Sequence, residues 1–319
     1  MRFLLDTRRR VTWLLAVALV ALAGVTAPAT ASRASTPPVA APHFTHVFEV
    51  VMENLGYQEA MQTPGLAALA HHWAYASNYY GVAHPSLPNY LGLAAGNTFG
   101  INSDCVTCYV RAPNLFTQLS ARHVSFNAYL EGVPSSCYLD PWGGNDYASK
   151  HNPFRYFLDV RSSKALCAHL RPLSELAGVL HRASASVPRF VWVTPNLCHD
   201  GHDCAPATAA AWLGSFVREV TASAAWRDGG VLFVTWDEGN GDSSGVRAGR
   251  VVASGGGGRV LTLVVAPHLA HGASTAVPLN HYSLLATVED ALGLARLANA
   301  RGATTFAPLF RHDALAHGG

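Results

Sequence analysis

Short, continuous apolar runs recur along the chain, and most of them end in a cluster of polar or acidic residues. The runs are HVFEVVM (46–52), RFVWVTPN (189–196), GGVLFVTWDEGNGD (229–242) and RVLTLVVAP (259–267). Apolar runs of this length, bounded by polar residues and glycine, are typical of β-strands that are buried on both faces. The pattern therefore predicts strands in these four places, and the first three deliver polar groups at their carboxyl ends.

Segments with helical periodicity lie between and after these runs. TPGLAALAHHWAYASNYYG (63–81) predicts an amphipathic helix, and PNYLGLAAG (88–96) predicts the helix that follows Ser86. NHYSLLATVEDALGL (280–294) predicts a late helix with His281 at its start. Helices that alternate with fully apolar strands are typical of a parallel sheet with a site along one edge. The predicted fold class is an α/β three-layer α/β/α sandwich with a mostly parallel central sheet.

The pattern indicates one domain behind a targeting segment. A basic stretch, an apolar stretch and the small-residue site Ala29–Ala31 predict a signal peptide over residues 1–31. A transmembrane anchor is the alternative, disfavoured because the apolar run is short and ends in an A-x-A site. The protein is therefore expected to be secreted, by the general or the twin-arginine route, with no stable membrane anchor after cleavage. A disordered linker over 32–43 and a single domain over 44–312 follow, in which 97–170 is predicted to be an irregular insertion that lines the site.

Composition and charge narrow the class of partner. Of the 319 residues, 50% are hydrophobic and 13% are charged, which excludes a disordered chain. The formal net charge of +2 belongs to the signal peptide, because removing its four arginines and one aspartate from 22 basic and 20 acidic residues leaves −1. No cluster of basic residues remains, so docking of nucleic acid is not expected. The oligomeric state is open.

The cysteines favour disulfides. Six are present, an even number, at positions 105, 108, 137, 167, 198 and 204. Six cysteines allow fifteen pairings. Proximity along the chain favours Cys105–Cys108 and Cys198–Cys204, which leaves Cys137–Cys167. A zinc ribbon at CVTC is the competing interpretation, but no second CxxC lies at the spacing of a zinc finger.

The stretch AHPSLPNYLGL (83–93) places one serine between two prolines. Pro85 and Pro88 fix the backbone on either side of Ser86, where the chain changes from extended to helical. A nucleophile held there would have a single presentation, and the amides at the start of a helix favour an anion. The alternative is a helix cap, the commonest role of a single serine before a helix.

Polar side chains at the strand ends form the second candidate feature. They are Glu53, Asn54, Ser86, Asn89, Asp200, His202, Asp203, Asp237, Glu238 and His281. Carboxylates and imidazoles in this number at one sheet edge indicate a divalent metal beside an activated hydroxyl. Asn54, Asn89 and imidazoles could hold the non-bridging oxygens of a phosphate, a combination that suits phosphoryl transfer. Alternatively, a strand-end aspartate caps the next helix, and Asp237-Glu238 is a solvated turn.

Six motifs resemble, in order, those of the phosphoesterase family of bacterial and fungal acid phosphatases and non-specific phospholipases C, in the alkaline phosphatase-like superfamily. They are VVMENLGY, HPSLPNYLGLAAG, KHNPFRYF, VTPNLCHDGHDC, TWDEGNGD and NHYSLLATVEDALGL. The resemblance covers residues 44–295 and implies an alkaline phosphatase-like fold. It also implies a hydrolase that acts on phosphoric esters.

The resemblance assigns expected roles to individual residues. Ser86 would be the nucleophile, which forms a phosphoserine that water then hydrolyses. The expected metal ligands are Glu53, Asp237 and Glu238, with Asp200, Asp203 and His281 as further candidates. His151 and His202 would contact the phosphoryl group or protonate the leaving oxygen, and Asn54 and Asn89 would bind substrate. The expected cofactor is a divalent metal ion whose identity and number are open, with Asp200 and Asp203 as possible ligands of a second ion; magnesium, calcium, manganese, iron and zinc all suit such ligands.

A phosphomonoesterase that acts on a small phosphorylated substrate is the expected function. The sequence ends soon after the last motif, whereas phospholipase C members are usually longer; a phosphodiesterase or phospholipase C using the same site is the alternative. A serine esterase is a rival because Gly241–Gly245 fits G-x-S-x-G, but Ser243 lies beyond the strand and no apolar helix follows it. A non-catalytic exported binding protein is the last rival, although competent side chains occupy every proposed catalytic position.

Overall fold

A nine-stranded mixed sheet lies at the centre of the protein, in a computed structural model that describes residues 43–310. The predicted signal peptide, the linker up to residue 42 and the last two residues of the predicted domain lie outside the described residues. The strands are β1 Val47–Met52, β2 Ala74–Tyr80, β3 Phe126–Leu130, β4 Leu170–Pro172, β5 Phe190–Thr194, β6 Val231–Trp236, β7 Gly245–Arg247, β8 Arg250–Val252, β9 Arg259–Val265, β10 Ser274–Thr275 and β11 Leu279–Asn280.

Ten α-helices and five short 3₁₀ segments connect the strands within the described residues. The helices are α1 Tyr57–Gln62, α2 Pro64–His72, α3 Ser86–Ala95, α4 Leu115–Ala121, α5 Leu158–Ser162, α6 Lys164–Cys167, α7 Leu176–Leu180, α8 Pro206–Ala222, α9 Ala224–Arg227 and α10 His281–Ala291. The 3₁₀ segments are Ser149–His151, Pro153–Tyr156, Leu173–Glu175, Ser184–Ser186 and Ala298–Gly302. No helix among the described residues is long and apolar enough to span a membrane.

The sheet has the strand order β10-β2-β9-β6-β1-β5-β3-β4, with β11 also paired to β2. Strand β9 runs antiparallel to β2 and β6, whereas the other pairings in this sheet are parallel. The exception has a local cause: the glycine-rich segment 237–258 forms the β7–β8 hairpin and contains no crossover helix. Because a parallel neighbour needs such a crossover, the chain returns from the same edge of the sheet in the opposite direction.

Burial explains why the apolar runs become strands. All six residues of β1 and all six of β6 are buried, so both faces of the central sheet are covered. Helix α3 packs against α10, and α8 packs against α2 and α7, as two separate groups. The mostly parallel α/β fold predicted from the sequence is therefore confirmed.

Two predicted elements differ from the structure. The helix predicted over 63–81 ends at His72, and the rest of that segment forms strand β2, because AYASNYY is rich in tyrosine, which favours strands, and pairs with β9. The insertion over 97–170 is only partly irregular, since it contributes β3 to the central sheet and also helix α4. Strand β3 carries the half-buried Asn127 among buried residues, so its apolar run is interrupted in the sequence.

The predicted disulfide pairing is confirmed. Cys105 pairs with Cys108, Cys137 with Cys167 and Cys198 with Cys204. The first two pairs lie in the insertion, where the second ties the segment before Ser149–His151 to α6. The third closes a short loop after β5. All six cysteines are therefore used.

Candidate active site

The carboxyl ends of β5, β1 and β6 meet at one edge of the sheet, as the sequence predicts. Backbone hydrogen bonds fix their register there. The Glu53 N–H donates to the Asp200 carbonyl at 3.0 Å, and the Asp237 N–H donates to the Met52 carbonyl at 3.0 Å. The carboxylates that follow three separate strands are thus held on one framework.

Ser86 is the first residue of α3 and is 1% exposed. The loop before it is held by Asn89, whose Oδ1 accepts from the N–H groups of Val82 at 2.8 Å and Ala83 at 3.0 Å. The Asn89 amide donates to the carbonyls of Ala83 and Pro85. Asn89 is fully buried, and its amide also lies 3.5 Å from Glu238 Oε2. Its binding of substrate stays a prediction. Its role is to position the loop that presents the serine.

Lys150 is the cation beside the Ser86 hydroxyl. The Ser86 Oγ–H donates to Glu53 Oε2 at 3.2 Å, and the Lys150 Nζ donates to Ser86 Oγ at 3.3 Å. The same ammonium lies 3.2 Å from Asp104 Oδ2 and 3.3 Å from His202 Nε2. Burial alone would lower the pKa of Lys150, but the charges of Glu53 and Asp104 outweigh it and raise that pKa. Lys150 therefore carries a positive charge at the serine.

His151 lies between two buried carboxylates. Its Nε2 is 2.6 Å from Glu53 Oε1, and its Nδ1 is 3.0 Å from Asp200 Oδ2. The ring stacks on Tyr90 with centroids 5.0 Å apart. Burial would lower the pKa of His151, but the two carboxylates raise it to about 9. Both nitrogens of His151 are engaged by carboxylates and its side chain is 1% exposed. Its contact with the phosphoryl group stays a prediction.

His202 occupies the open side. Its side chain is 30% exposed, and its backbone N–H donates to Asp200 Oδ1 at 2.8 Å. Its Nδ1 lies 2.6 Å from Asp203 Oδ1, so Nδ1–H donates there and Nε2 accepts from Lys150. Asp203 is 55% exposed and stands apart from the buried carboxylates. The Cys198–Cys204 disulfide closes the loop that carries all three residues.

Asp237 and Glu238 complete the group of acids. The Asn54 N–H donates to Asp237 Oδ1 at 3.0 Å, and the Asn54 side chain donates to Glu53 Oε2 at 2.7 Å. Burial, then the charges of Glu53 and Glu238, raise the pKa of Asp237 well above its usual range. Burial also raises the pKa of Glu238, to about 7, although His84 lies 2.6 Å from it.

The chemistry of these donors fits a divalent cation. Glu53, Asp237 and Glu238 are buried close to one another, and such crowded carboxylates need a compensating positive charge. Asp237 Oδ2 has no hydrogen-bond partner among residues 43–310. Within the same range, no three His, Cys, Asp or Glu side chains converge as metal ligands as they stand. The metal remains a prediction, and oxygen donors of this kind suit a hard cation.

His281 supports the backbone of Asp237. Its Nε2 lies 2.5 Å from the Asp237 carbonyl oxygen, and its Nδ1 lies 2.9 Å from the Tyr79 hydroxyl. Burial lowers the pKa of His281 to about 4, so the ring is neutral. A carbonyl only accepts, so Nε2–H donates to it and Nδ1 accepts from Tyr79. Both nitrogens are therefore occupied in this structure, and the role of His281 as a metal ligand stays a prediction.

Sequence reasoning missed Lys150, Asp104, His84 and Tyr90. Lys150 did carry a signal, because the chain contains only two lysines and this one precedes His151 in the KHNP motif. Asp104 carried none, since it lies in the insertion far along the chain from the residues that it contacts.

The amino-acid sequence of the chain is similar to those of known phosphatases. A sequence model described as "Phosphoesterase family" matches residues 34–295. The chain is 30% identical over 272 residues to a phosphatidylinositol-3-phosphatase of Mycobacterium tuberculosis, with 83% of this chain and 82% of that protein covered. It is 26% identical over 259 residues to a phosphate-repressible acid phosphatase of Penicillium chrysogenum, with 80% and 60% covered. An acid phosphatase of Aspergillus fumigatus is 24% identical over 266 residues, with 80% and 56% covered. The chain thus spans 60% or less of the length of these two fungal relatives.

Solved structures with the same fold are more distant in sequence. A protein in the alkaline phosphatase superfamily from Vibrio parahaemolyticus aligns with a TM-score of 0.52 and 12% identity, over 82% of this chain and 72% of that one. A sulfatase from Pseudoalteromonas sp. aligns with a TM-score of 0.52 and 12% identity, over 84% and 72%. At this identity the likeness concerns the fold alone, and it agrees with the predicted alkaline phosphatase-like class.

Proposed function

This chain belongs to the phosphoesterase family, and on that premise we propose that it is a secreted, metal-assisted phosphoric ester hydrolase. We propose further that it acts on phosphate monoesters through a phosphoserine formed at Ser86. The three disulfides and the predicted signal peptide support secretion.

The surroundings of the Ser86 hydroxyl carry the proposal. The oxygen is at the first turn of the ten-residue helix α3, where backbone amides favour an anion. Lys150 donates to it at 3.3 Å, which adds a full positive charge where a phosphoryl group would bind. A serine that served only as a helix cap would have no need of a partly buried ammonium and of the Glu53 carboxylate at the same oxygen.

The reaction proposed has two displacements at phosphorus. Ser86 Oγ forms a bond to phosphorus as the bond to the leaving oxygen breaks. The serine proton passes by way of the Lys150 ammonium, which contacts both groups, to Nε2 of His202. His202 on the open side then delivers this proton to the leaving oxygen, and Lys150, still an ammonium, stabilises the charge on the non-bridging oxygens. Water then bonds to phosphorus, the Oγ–P bond breaks, and inorganic phosphate leaves as a proton from the water restores the serine hydroxyl.

Glu53, Asp237 and Glu238 are proposed to hold one divalent cation, with Asn54 directed toward a substrate oxygen beside them. When bound, such a cation supplies positive charge next to the nucleophile and the phosphate. His151 stays in place between Glu53 and Asp200, and orients Glu53. His281 and Asn89 act on the backbone that carries Asp237 and Ser86.

The activities after which the relatives are named favour monoesters. Two are acid phosphatases, and the third is a phosphatidylinositol-3-phosphatase. A phosphodiesterase or phospholipase C would use the same nucleophile and the same acids, and the leaving-group side of the site decides between the two classes.

The test compares the hydrolysis of one monoester, p-nitrophenyl phosphate, with that of two diesters, bis-p-nitrophenyl phosphate and p-nitrophenyl phosphorylcholine. Each is assayed with the wild-type protein, with Ser86→Ala, and after treatment with a chelator followed by single added metal ions. The proposal is supported if the wild-type protein hydrolyses the monoester and if this activity is lost both in Ser86→Ala and after chelation. Preference for a diester would move the assignment to the alternative class, and activity that survives in Ser86→Ala would reject the mechanism.

A further inference from the structure

Asp104 bridges two groups that adjoin the Ser86 hydroxyl. Its Oδ1 accepts from the Leu87 N–H at 2.9 Å, and its Oδ2 lies 3.2 Å from the Lys150 Nζ. Leu87 and Ser86 share the first turn of α3, so Asp104 sets the position of Lys150 relative to the helix that carries the serine. The Cys105–Cys108 disulfide begins at the next residue and restrains the loop.

Lys150 needs such a restraint. Its backbone is fixed in the 3₁₀ segment Ser149–His151, next to the locked His151, but its four-carbon stem is flexible. The ammonium has three hydrogens, and the structure supplies three acceptors: Ser86 Oγ, Asp104 Oδ2 and His202 Nε2. Two of these acceptors are neutral, so Asp104 is the charged one.

A second carboxylate competes for the same ammonium. Glu53 attracts Lys150 electrostatically, although its oxygens are occupied by Ser86, Asn54 and His151. Without Asp104, the nearest strong attraction on the ammonium would be toward Glu53. The lysine would then leave the phosphate side of the serine and compete for the carboxylate that the proposed cation needs.

We propose that Asp104 is a positioning residue, which holds the Lys150 ammonium at Ser86 Oγ and away from Glu53. The inference rests on the proposed function for its effect on turnover, but the placement of the ammonium can be measured without turnover. The alternative role is competition with substrate. In that case the Asp104 carboxylate, bound to the Leu87 N–H and to Lys150, occupies the place where the phosphate of the substrate would bind. The two roles predict opposite effects on phosphate affinity.

The first experiment is a double-mutant cycle with p-nitrophenyl phosphate. Asp104→Asn keeps an oxygen for the Leu87 N–H but removes the charge, and Lys150→Met keeps the stem but removes the ammonium. Asp104→Asn is expected to lower kcat about 100-fold, the scale on which a displacement of about 1 Å acts in an active site. The double variant is expected to be no slower than Lys150→Met alone, since Asp104 acts through the lysine. Asp140→Asn, which removes an exposed carboxylate from the same insertion, is the matched control and should retain wild-type kcat.

Two outcomes of the cycle overturn the proposal. Losses that multiply in the double variant would give Asp104 a role independent of Lys150. Tighter inhibition of Asp104→Asn by inorganic phosphate would show that the carboxylate competes with the substrate.

The second experiment measures the chemical reactivity of the Lys150 amine without using turnover. Lys150 and Lys164 are the only lysines, and Lys164 is exposed, so trace acetylation followed by mass spectrometry gives an internal ratio at a single pH. Asp104→Asn is expected to change the Lys150-to-Lys164 ratio several-fold, and Asp140→Asn is expected to leave it unchanged. An unchanged ratio in Asp104→Asn overturns the proposal. A changed ratio in a protein that hydrolyses no phosphate ester would reject the proposed function and keep the placement of Lys150 by Asp104.

Discussion

The Nε2 of His151 lies 2.6 Å from Oε1 of Glu53, and neither side chain is more than 1% exposed. The imidazole therefore acts as a buried counter-charge within the group of acids, with Asp200 on its other nitrogen at 3.0 Å. A pair of this kind stabilises the site only while the histidine keeps its second proton.

The pair of His151 and Glu53 should make the stability of the metal-free protein fall as the pH rises. The folded-state pKa of His151 is raised to about 9 from an ordinary 6.5, because its carboxylate partners outweigh burial. Its contribution to stability is complete below about pH 6.5 and is lost as the pH rises through about 9. With a chelator present, we expect the melting temperature to fall between these pH values in the wild type, and to fall less in His151→Gln. Equal declines in the two proteins would contradict this role of His151.

Asn89→Ala is expected to lower both stability and turnover. It leaves the partly buried N–H groups of Val82 and Ala83 without their acceptor, at a cost of roughly 2 kcal/mol in the free energy of unfolding. The loop that presents Ser86 then loosens, so kcat falls as well. Urea denaturation with a parallel assay measures both. Asn97→Ala, which removes an acceptor for a single loop N–H, is the control and should cost less than about 1 kcal/mol. Wild-type stability in Asn89→Ala would refute the expectation.

His202→Ala is expected to lower kcat/KM most for substrates whose leaving oxygen must take up a proton. If His202 supplies the proton to the leaving oxygen, an alkyl phosphate such as glycerol 2-phosphate should lose about 100-fold or more in kcat/KM. p-Nitrophenyl phosphate, whose leaving group needs no proton, should lose far less. His199→Ala is the control in the same loop, since His199 pairs with Glu131 and stacks on Trp212. An equal loss on both substrates would assign His202 to binding instead.

Two disulfides should differ in how much stability their removal costs. Cys198–Cys204 spans six positions, whereas Cys137–Cys167 spans thirty. Because loop entropy grows with span, replacing the longer pair by serines should cost about 4 kcal/mol and the shorter pair about 2 kcal/mol. Both loops carry site residues, His202 in the short loop and Lys150 in the long one, so both variants should also lose kcat. Thermal melts and assays of both double-serine variants test this, and a larger loss of stability in the Cys198/Cys204 variant would be inconsistent with it.

The sequence predicts the strand ends well and the side-chain partners poorly, for physical reasons. Buried strands must be apolar and parallel strands share an edge, so the pattern of apolar runs is enough to bring Glu53, Asp200 and Asp237 together. Which nitrogen of a histidine meets which oxygen depends on packing at the scale of an ångström. His281 shows this: the sequence correctly predicts its place at the start of a helix, yet its ring binds the Asp237 carbonyl and Tyr79.

The insertion shows a second limit. Its fold depends on contacts with distant segments, so no local pattern indicates that Asp104 meets Lys150. Strand β2 shows a third, because the helical periodicity of 63–72 continues into a tyrosine-rich stretch that pairs instead with β9.

Glu49→Gln is expected to stabilise the protein increasingly as the pH rises. Glu49 lies in the middle of β1, opposite Trp192 of β5 and Phe233 of β6, and is 1% exposed. Its Oε1 has no hydrogen-bond partner within residues 43–310, and burial raises its pKa to about 8 from 4.5. The unfolded carboxyl ionises above about pH 4.5 while the folded one keeps its proton to about pH 8, so the cost of this residue grows between those values. The difference in unfolding free energy between Glu49→Gln and wild type should rise from near zero at low pH to about 5 kcal/mol above pH 8, since each unit of the pKa difference corresponds to about 1.4 kcal/mol. Urea titrations at a series of pH values measure it, with the exposed Glu59→Gln as the control, and a difference that stays constant with pH would show that Glu49 is ionised in the folded protein.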